Sequence, residues 1–347
     1  MSSLPPSTPD TALPDTRRAA LVQWLGTLSP EYALRPETLR PASADASFRR
    51  YFRIDTGDGS LIAMDAPPDK EDSRPFIQVA GLLTAAGLNA PRVLEADLAR
   101  GYLLLTDLGT TTYLSALNDD SASALFDDAL EALVRWQLAS QPGVLPPYDE
   151  ALLRRELSLF PDWYVARHLG HALSDQQSQV LRRMVDRIVA SNLAQPRVYV
   201  HRDYMPRNLM VASPNPGVLD FQDAVLGPIT YDVASLFRDA FVSWDEARVV
   251  DWVVRYWQKA RRAGLPVDAD FGAFWRDFEW MGLQRHLKVL GIFARINYRD
   301  GKPHYLADTP RFVGYVRSVT RRYDELAPLA RLFDELEGVA QRVGYTF

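Results

Sequence analysis

Val198-Tyr-Val-His201-Arg202-Asp203-Tyr-Met-Pro206-Arg207-Asn208-Leu-Met-Val211, then Ala-Ser-Pro-Asn215-Pro-Gly217, then Val-Leu-Asp220-Phe221-Gln222-Asp223, is the stretch that decides how this chain is read. Two short apolar runs hold between them a His-x-Asp-x-x-x-x-Asn spacing, and a third apolar run ends in Asp220-Phe221. A strand ending at Val200 delivers His201-Arg202-Asp203 to a tight loop stiffened by Pro206. The chain turns back at Asn208, turns again at Asn215-Pro-Gly217, and returns to Asp220. Three short segments in a hairpin relation would thus bring Asp203, Asn208 and Asp220 together. Taken singly, Asp and Asn in loops are turn formers and caps. Together they form the set that ATP-dependent phosphoryl transfer needs. Asp203 would accept or orient the proton of an attacking hydroxyl. Asn208 and Asp220 would hold Mg²⁺, a hard ion that takes oxygen ligands and keeps several waters, with phosphate oxygens completing its shell. His201 is read as a brace for the loop backbone, and Asp223 either as a second acceptor behind the site or as a distal ligand.

The bulk composition is compatible with that chemistry and removes several others. A chain of 347 residues buries a large core and is expected to form two lobes. A formal charge of −5 argues against broad nucleic-acid binding, which needs a basic face. No window approaches the roughly 18 apolar residues of a membrane span, and the first residues lack the pattern of a signal peptide. The absence of cysteine excludes disulfides, thiolate metal sites and cysteine nucleophiles. A cytoplasmic, monomeric enzyme acting on small molecules, with no nucleic-acid or membrane partner, is the expectation.

Along the chain, residues 1–16 are rich in Pro, Ser and Thr and are expected to be a flexible tail. Leu21, Trp24, Leu25 and Leu28 predict a short helix over Arg17–Leu28. Ser47–Ile54 and Leu61–Met64 predict a β-hairpin turning on Asp55-Thr-Gly-Asp-Gly59, followed by a helix over Pro75–Ala86 and a strand over Gly101–Thr106. From Ser121 onward helical periodicity dominates, over about 150–193, 230–263, 269–299 and 310–345, and only the 198–221 block interrupts it. The expected division is an N-terminal nucleotide-binding lobe over 17–108 and a helical catalytic and acceptor-binding lobe over 109–347.

The segment His201-Arg-Asp203 through Asn208, with Asp220-Phe221, resembles the catalytic core of the aminoglycoside phosphotransferase family. Gly227-Pro-Ile-Thr-Tyr-Asp232-Val-Ala-Ser-Leu236 resembles the segment that follows it there. The resemblance covers roughly residues 40–300. It implies an α+β, two-lobed protein-kinase-like fold, and for Asp232 a structural hydrogen bond to the catalytic loop. It places Ala42–Tyr51 at the phosphate-covering loop, where Ser47 offers backbone and Arg49 and Arg50 offer charge. It places Leu103–Gly109 at the hinge, where backbone groups of Thr106 and Leu108 would meet adenine. One departure stands out: Asp65 occupies the position where the family has a phosphate-fixing Lys, and the next helix offers Gln78 rather than a Glu. Arg49, Arg50 or Lys70 would then have to supply the missing charge.

Asp45-Ala-Ser-Phe-Arg-Arg-Tyr-Phe, Ile62-Ala-Met-Asp-Ala-Pro67 and Tyr298-Arg-Asp-Gly-Lys-Pro-His-Tyr-Leu306 are closer to one subfamily, the bacterial anomeric sugar kinases of peptidoglycan recycling. The resemblance implies phosphorylation of N-acetylmuramic acid and N-acetylglucosamine at C1. The acceptor side is expected in the helical lobe, around Gln284-Arg285-His286-Leu287-Lys288 and Arg295–Leu306. Arg207, Arg285 or Lys288 would offer a cation for a lactyl carboxylate, with His286 beside them. A kinase of another small alcohol (an aminoglycoside, choline or homoserine) and a nucleotide-binding pseudokinase stay open as alternatives.

Overall fold

The computed structural model describes residues 15–42 and 48–338. The chain divides into two compact units, the first running up to Ile77 and resuming over Pro91–Asp107, the second holding Gln78–Ala90 and everything from Leu108 onward. The N-terminal unit therefore does not take the whole of the expected 17–108. Most of the second helix and the turn after it belong with the helical unit.

The first unit is a five-stranded antiparallel sheet with a helix on it. Helix α1 (Thr16–Tyr32) is capped by Asp15, whose carboxylate accepts the Arg18 N–H at 2.9 Å. Asp15 and Thr16, the last two residues of the expected tail, thus open a helix. Strands β1 (Arg35–Pro41), β2 (Arg50–Asp55) and β3 (Ser60–Asp65) precede α2 (Arg74–Ala85), and β4 (Val93–Asp97) and β5 (Tyr102–Thr106) follow it. The sheet order is β1-β2-β3-β5-β4. The β2–β3 hairpin closes where the Thr56 N–H meets the Gly59 carbonyl at 2.9 Å. Leu21, Trp24 and Leu25 of α1 pack on Phe52, Ile54, Ala63, Tyr102 and Leu104. The edge strands β1 and β4 went unread in the sequence. Arg35-Pro-Glu-Thr-Leu-Arg-Pro41 buries only Leu39, so it carries no alternating signal.

The second unit is mainly helical. Helices α3 (Tyr113–Ala116), α4 (Ala122–Leu138) and α5 (Glu150–Leu157) lead into a π-helix (Phe160–His168) and α6 (Asp175–Ala194). Four short strands follow: β6 (Arg197–Val200), β7 (Leu209–Met210), β8 (Gly217–Val218) and β9 (Val225–Pro228). Strand β6 pairs with β9 and β7 with β8. The three-segment hairpin expected from the sequence is therefore two separate ladders, and the partner of the Val198–Val200 run is a strand beyond Asp223. Helices α7 (Tyr231–Phe237), α8 (Glu246–Arg262), α9 (Phe271–Asp300), α10 (Thr309–Arg322) and α11 (Ala327–Leu336) complete the unit.

Helix α9 is the axis of this unit. Every residue from Phe278 to Gly291 is buried, because α6, α7, α10 and the π-helix surround it. Its closest approach is at Gly291, where a Cβ would lie 2.3 Å from the Leu159 carbonyl carbon. Gly291→Ala should therefore lower the unfolding free energy by about 1–3 kcal/mol, the range for overpacking a core. That loss would outweigh the gain of about 1 kcal/mol in helix propensity. Chemical denaturation of the variant would check this.

Candidate active site

The ladder of β6 with β9 carries the chain to His201, and the next turn is set by a buried carboxylate. Asp232, in the first turn of α7, accepts the His201 N–H at 2.7 Å and the Arg202 N–H at 3.0 Å. This is the structural role that the resemblance implied for it. Complete burial pushes the Asp232 carboxyl up to about 7, although the two N–H donors pull the other way. The turn so held is unusual: Arg202 has φ +76°, in the left-handed region that side chains with a Cβ avoid. His201 closes the loop from inside. Its Nδ1 accepts the Asp203 N–H at 3.3 Å, so its Nε2 is the donor to the Leu219 carbonyl at 3.0 Å. Burial holds it down to about 4, so it stays neutral and braces backbone, as expected.

The three residues singled out in the sequence do meet. The Asn208 Nδ2 donates to the Asp203 carbonyl at 2.9 Å and to Asp220 Oδ2 at 3.2 Å. Asp220 has φ +61° and takes a second amide from Gln222, whose Nε2 lies 2.9 Å from Oδ1. One amide nitrogen thus ties the loop of the candidate base to the carboxylate that follows β8. It also leaves the Asn208 amide oxygen, a hard donor, out of both of these bonds. Among the described residues no group of three or more His, Asp or Glu side chains could hold a metal unaided. An amide oxygen and one carboxylate suit an ion that keeps waters and takes further oxygens from a phosphate.

In the N-terminal unit the cations are already engaged. Asp65 is fully buried and accepts Arg17 Nε at 2.9 Å and Arg50 Nε at 3.0 Å, and Arg50 also reaches Asp15. The residue at the expected Lys position is thus a structural anion clamped by α1 and β2. A role for Arg50 at phosphates would require giving up this pairing, since a buried carboxylate left alone is costly. Arg49 pairs with Glu71 at 2.9 Å. The Thr106 N–H donates to the Arg92 carbonyl at 3.0 Å, so this group of the expected adenine contact is taken within the sheet. Leu108 opens the second unit. Ser47 lies outside the described residues.

The acceptor candidates on α9 prove to be interior. His286 is 1 % exposed, stacks on Tyr315 with ring centroids 4.8 Å apart, and faces the Arg238 carbonyl through Nε2 at 3.3 Å. Arg285 is 3 % exposed, near the charges of Asp232 and Asp239. Lys288 is paired with Glu156 at 2.9 Å. His286 and Arg285 are therefore interior side chains. A helix packed on all sides puts its polar positions into the core too, and periodicity cannot reveal that. Arg207 differs: it is half-buried, with its guanidinium 5.0 Å from the Phe241 ring centroid.

Comparison with known proteins agrees with this geometry. Residues 38–269 match the model of the Phosphotransferase enzyme family. The chain belongs to that family. This phosphotransferase is 55 % identical over 329 residues to the N-acetylmuramate/N-acetylglucosamine kinase of Pseudomonas aeruginosa, covering 93 % of this chain and 97 % of that one. It is 51 % identical over 337 residues to the protein of the same name from Neisseria meningitidis, covering 95 % and 99 %. Solved structures share the α+β protein-kinase-like fold. ADP-bound aminoglycoside phosphotransferase APH(2'')-Ib superposes with a TM-score of 0.55 at 14 % identity, covering 90 % of this chain and 98 % of that one. Amicoumacin kinase in complex with AMP-PNP and Ca²⁺ gives 0.61 at 14 % identity, covering 87 % and 95 %. No helix among the described residues is long and apolar enough to cross a membrane.

One residue that holds the candidate loop was not legible in the sequence. Glu156, on α5, is buried and binds Arg202 at 2.6 Å and Lys288 at 2.9 Å through Oε1. Its Oε2 accepts Tyr148 and, at 3.1 Å, Gln284. It lies 46 positions from Arg202, and nothing local in Leu153-Arg-Arg-Glu156-Leu distinguishes it from a solvated helix position. Burial would raise its pKa, but Lys288 and Arg202, with the Tyr148 hydroxyl, outweigh that and hold it at about 2 against an ordinary 4.5. A depressed carboxylate contributes stability that is full above pH 4.5 and is lost as pH falls toward 2. In pH-dependent melts, the stability gap between the native protein and Glu156→Gln should be widest above pH 4.5 and close near pH 2.

Proposed function

We propose that this phosphotransferase uses ATP and Mg²⁺ to phosphorylate the anomeric (C1) hydroxyl of N-acetylmuramic acid and N-acetylglucosamine, in the salvage of cell-wall sugars. The observation that carries the reaction class is the Asn208 amide bridging the Asp203 carbonyl and the Asp220 carboxylate. What supports the acceptor is the identity of 51–55 % over most of the chain to kinases with those sugars in their names. A reaction that draws on ATP belongs in the cytoplasm, and two small substrates ask for no partner chain, so we take the enzyme to act as a monomer.

Each residue has a task in this reading. Asn208 and Asp220 would hold the metal, which when bound neutralises charge on the phosphates. Asp203 takes the proton of the anomeric hydroxyl as the bond from its oxygen to the γ-phosphorus forms. The bond from that phosphorus to the β–γ bridging oxygen breaks, and ADP leaves with the electron pair. An anomeric hydroxyl is more acidic than an ordinary alcohol, so one carboxylate is an adequate base. Arg49, which pairs with Glu71, would be the phosphate-side cation in place of the absent Lys. Arg207 is the cation for a lactyl carboxylate. Clamped Asp65 removes the main argument for a pseudokinase: its position is used structurally.

Incubation with ATP, Mg²⁺ and a panel of sugars, aminoglycosides and choline tests the reading. Phosphate should appear on the two N-acetylated amino sugars with loss of their reducing ends. Transfer to an aminoglycoside or choline alone, or to nothing, would refute it. Asp203→Asn should lower kcat by roughly 10²- to 10⁴-fold, the range for losing a general base. Near-native turnover in that variant would remove Asp203 from its role.

A further inference from the structure

The cluster around Glu156 does more than satisfy buried charges. It contains one carboxylate and two cations, Arg202 and Lys288, walled by aromatic rings: Tyr148 lies 5.8 Å from the Arg202 guanidinium and Tyr231 lies 5.7 Å from the Lys288 ammonium. Lys288 also donates to the Tyr231 hydroxyl at 3.1 Å. Arg202 is the residue immediately before Asp203 and is the one held at φ +76°. A side chain with a Cβ occupies that region only when its surroundings over-determine it. Two anchors do so here: Asp232 grips the Arg202 N–H at 3.0 Å, and Glu156 grips the guanidinium at 2.6 Å. Pulled from backbone and side chain together, the turn has one setting, and that setting aims the next residue.

We infer that Glu156 is a positioning residue for phosphoryl transfer, holding the Arg202 guanidinium so that the left-handed turn presents Asp203 to the acceptor hydroxyl. The inference rests on Asp203 being the proton acceptor of the proposed reaction. Lys288, offered by the sequence as an acceptor contact, belongs on this reading to the same device, as the second cation that fixes Glu156 in place. Glu156 acts through Arg202 and touches no substrate, so its effect must appear in kcat rather than in affinity.

Glu156→Gln is the direct variant, but it leaves two buried cations without a carboxylate and risks misfolding. Arg202→Gly avoids this: the Glu156–Lys288 pair stays matched, and glycine adopts the left-handed turn without steric cost. Steady-state rates are scored per folded enzyme, with the folded fraction taken from circular dichroism. For Arg202→Gly, kcat should fall about 10- to 100-fold, the scale for misplacing a catalytic group by about an ångström. KM for ATP and for the sugar should stay within about threefold, because no binding group has been removed. Arg202→Lys, which keeps a cation for Glu156, should lie between the native protein and the glycine variant. A glycine variant within about twofold of native kcat, or a loss confined to KM for the sugar, would overturn the inference. Native protein that phosphorylates none of the sugars would instead sink the proposed function. The same variants are then scored on hydrolysis of ATP to water, where Arg202→Gly should again be slowed and equal rates would count against the positioning role.

Discussion

The arrangement depends on one buried carboxylate receiving two successive backbone N–H groups. Asp232 sits at the start of α7, and the N–H groups of His201 and Arg202 point at it from the end of β6. The ladder with β9 holds strand β6. Beside those two bonds, His201 holds the Asp203 N–H and the Leu219 carbonyl, and Asn208 folds back onto the Asp203 carbonyl and Asp220. The candidate base and both candidate metal ligands are thus fixed by a chain of short contacts. Each of these is backbone to side chain or amide to carboxylate, and all but the two made by Asp232 belong to the loop and the ladders on either side of it.

Much of this was legible from the sequence because it is local. The set from His201 to Asp220 spans twenty residues, and its chemistry is stated by residue types at fixed spacings. The β2–β3 hairpin and α2 were equally plain, and the spacing of Leu21, Trp24, Leu25 and Leu28 marked α1. What could not be read depends on distant partners. β9 as the mate of β6, the burial of Gln284–Lys288 and the reach of Glu156 to Arg202 are all set by packing between elements far apart in the chain. His286 and Arg285 looked like a polar surface because polar residues usually are one. In a helix buried on every side, they are core.

Asp65 illustrates how a departure from a family pattern becomes intelligible. A buried carboxylate in a sheet would be destabilising by itself. Two guanidiniums, from α1 and from β2, satisfy it, and α1 is thereby tied to the sheet by charge as well as by Leu21, Trp24 and Leu25. The N-terminal helix and the altered strand position therefore belong to one device. Arg49 is set against Glu71 rather than Asp65.

Asp220, tied to the base loop through Asn208, is the carboxylate proposed to hold the metal of the nucleotide. Calorimetric titration of ATP with and without Mg²⁺, on the native protein and on Asp220→Ala, tests it most directly. Mg²⁺ should tighten ATP binding to the native protein and have no such effect on the variant. An equal Mg²⁺ dependence in both would contradict it.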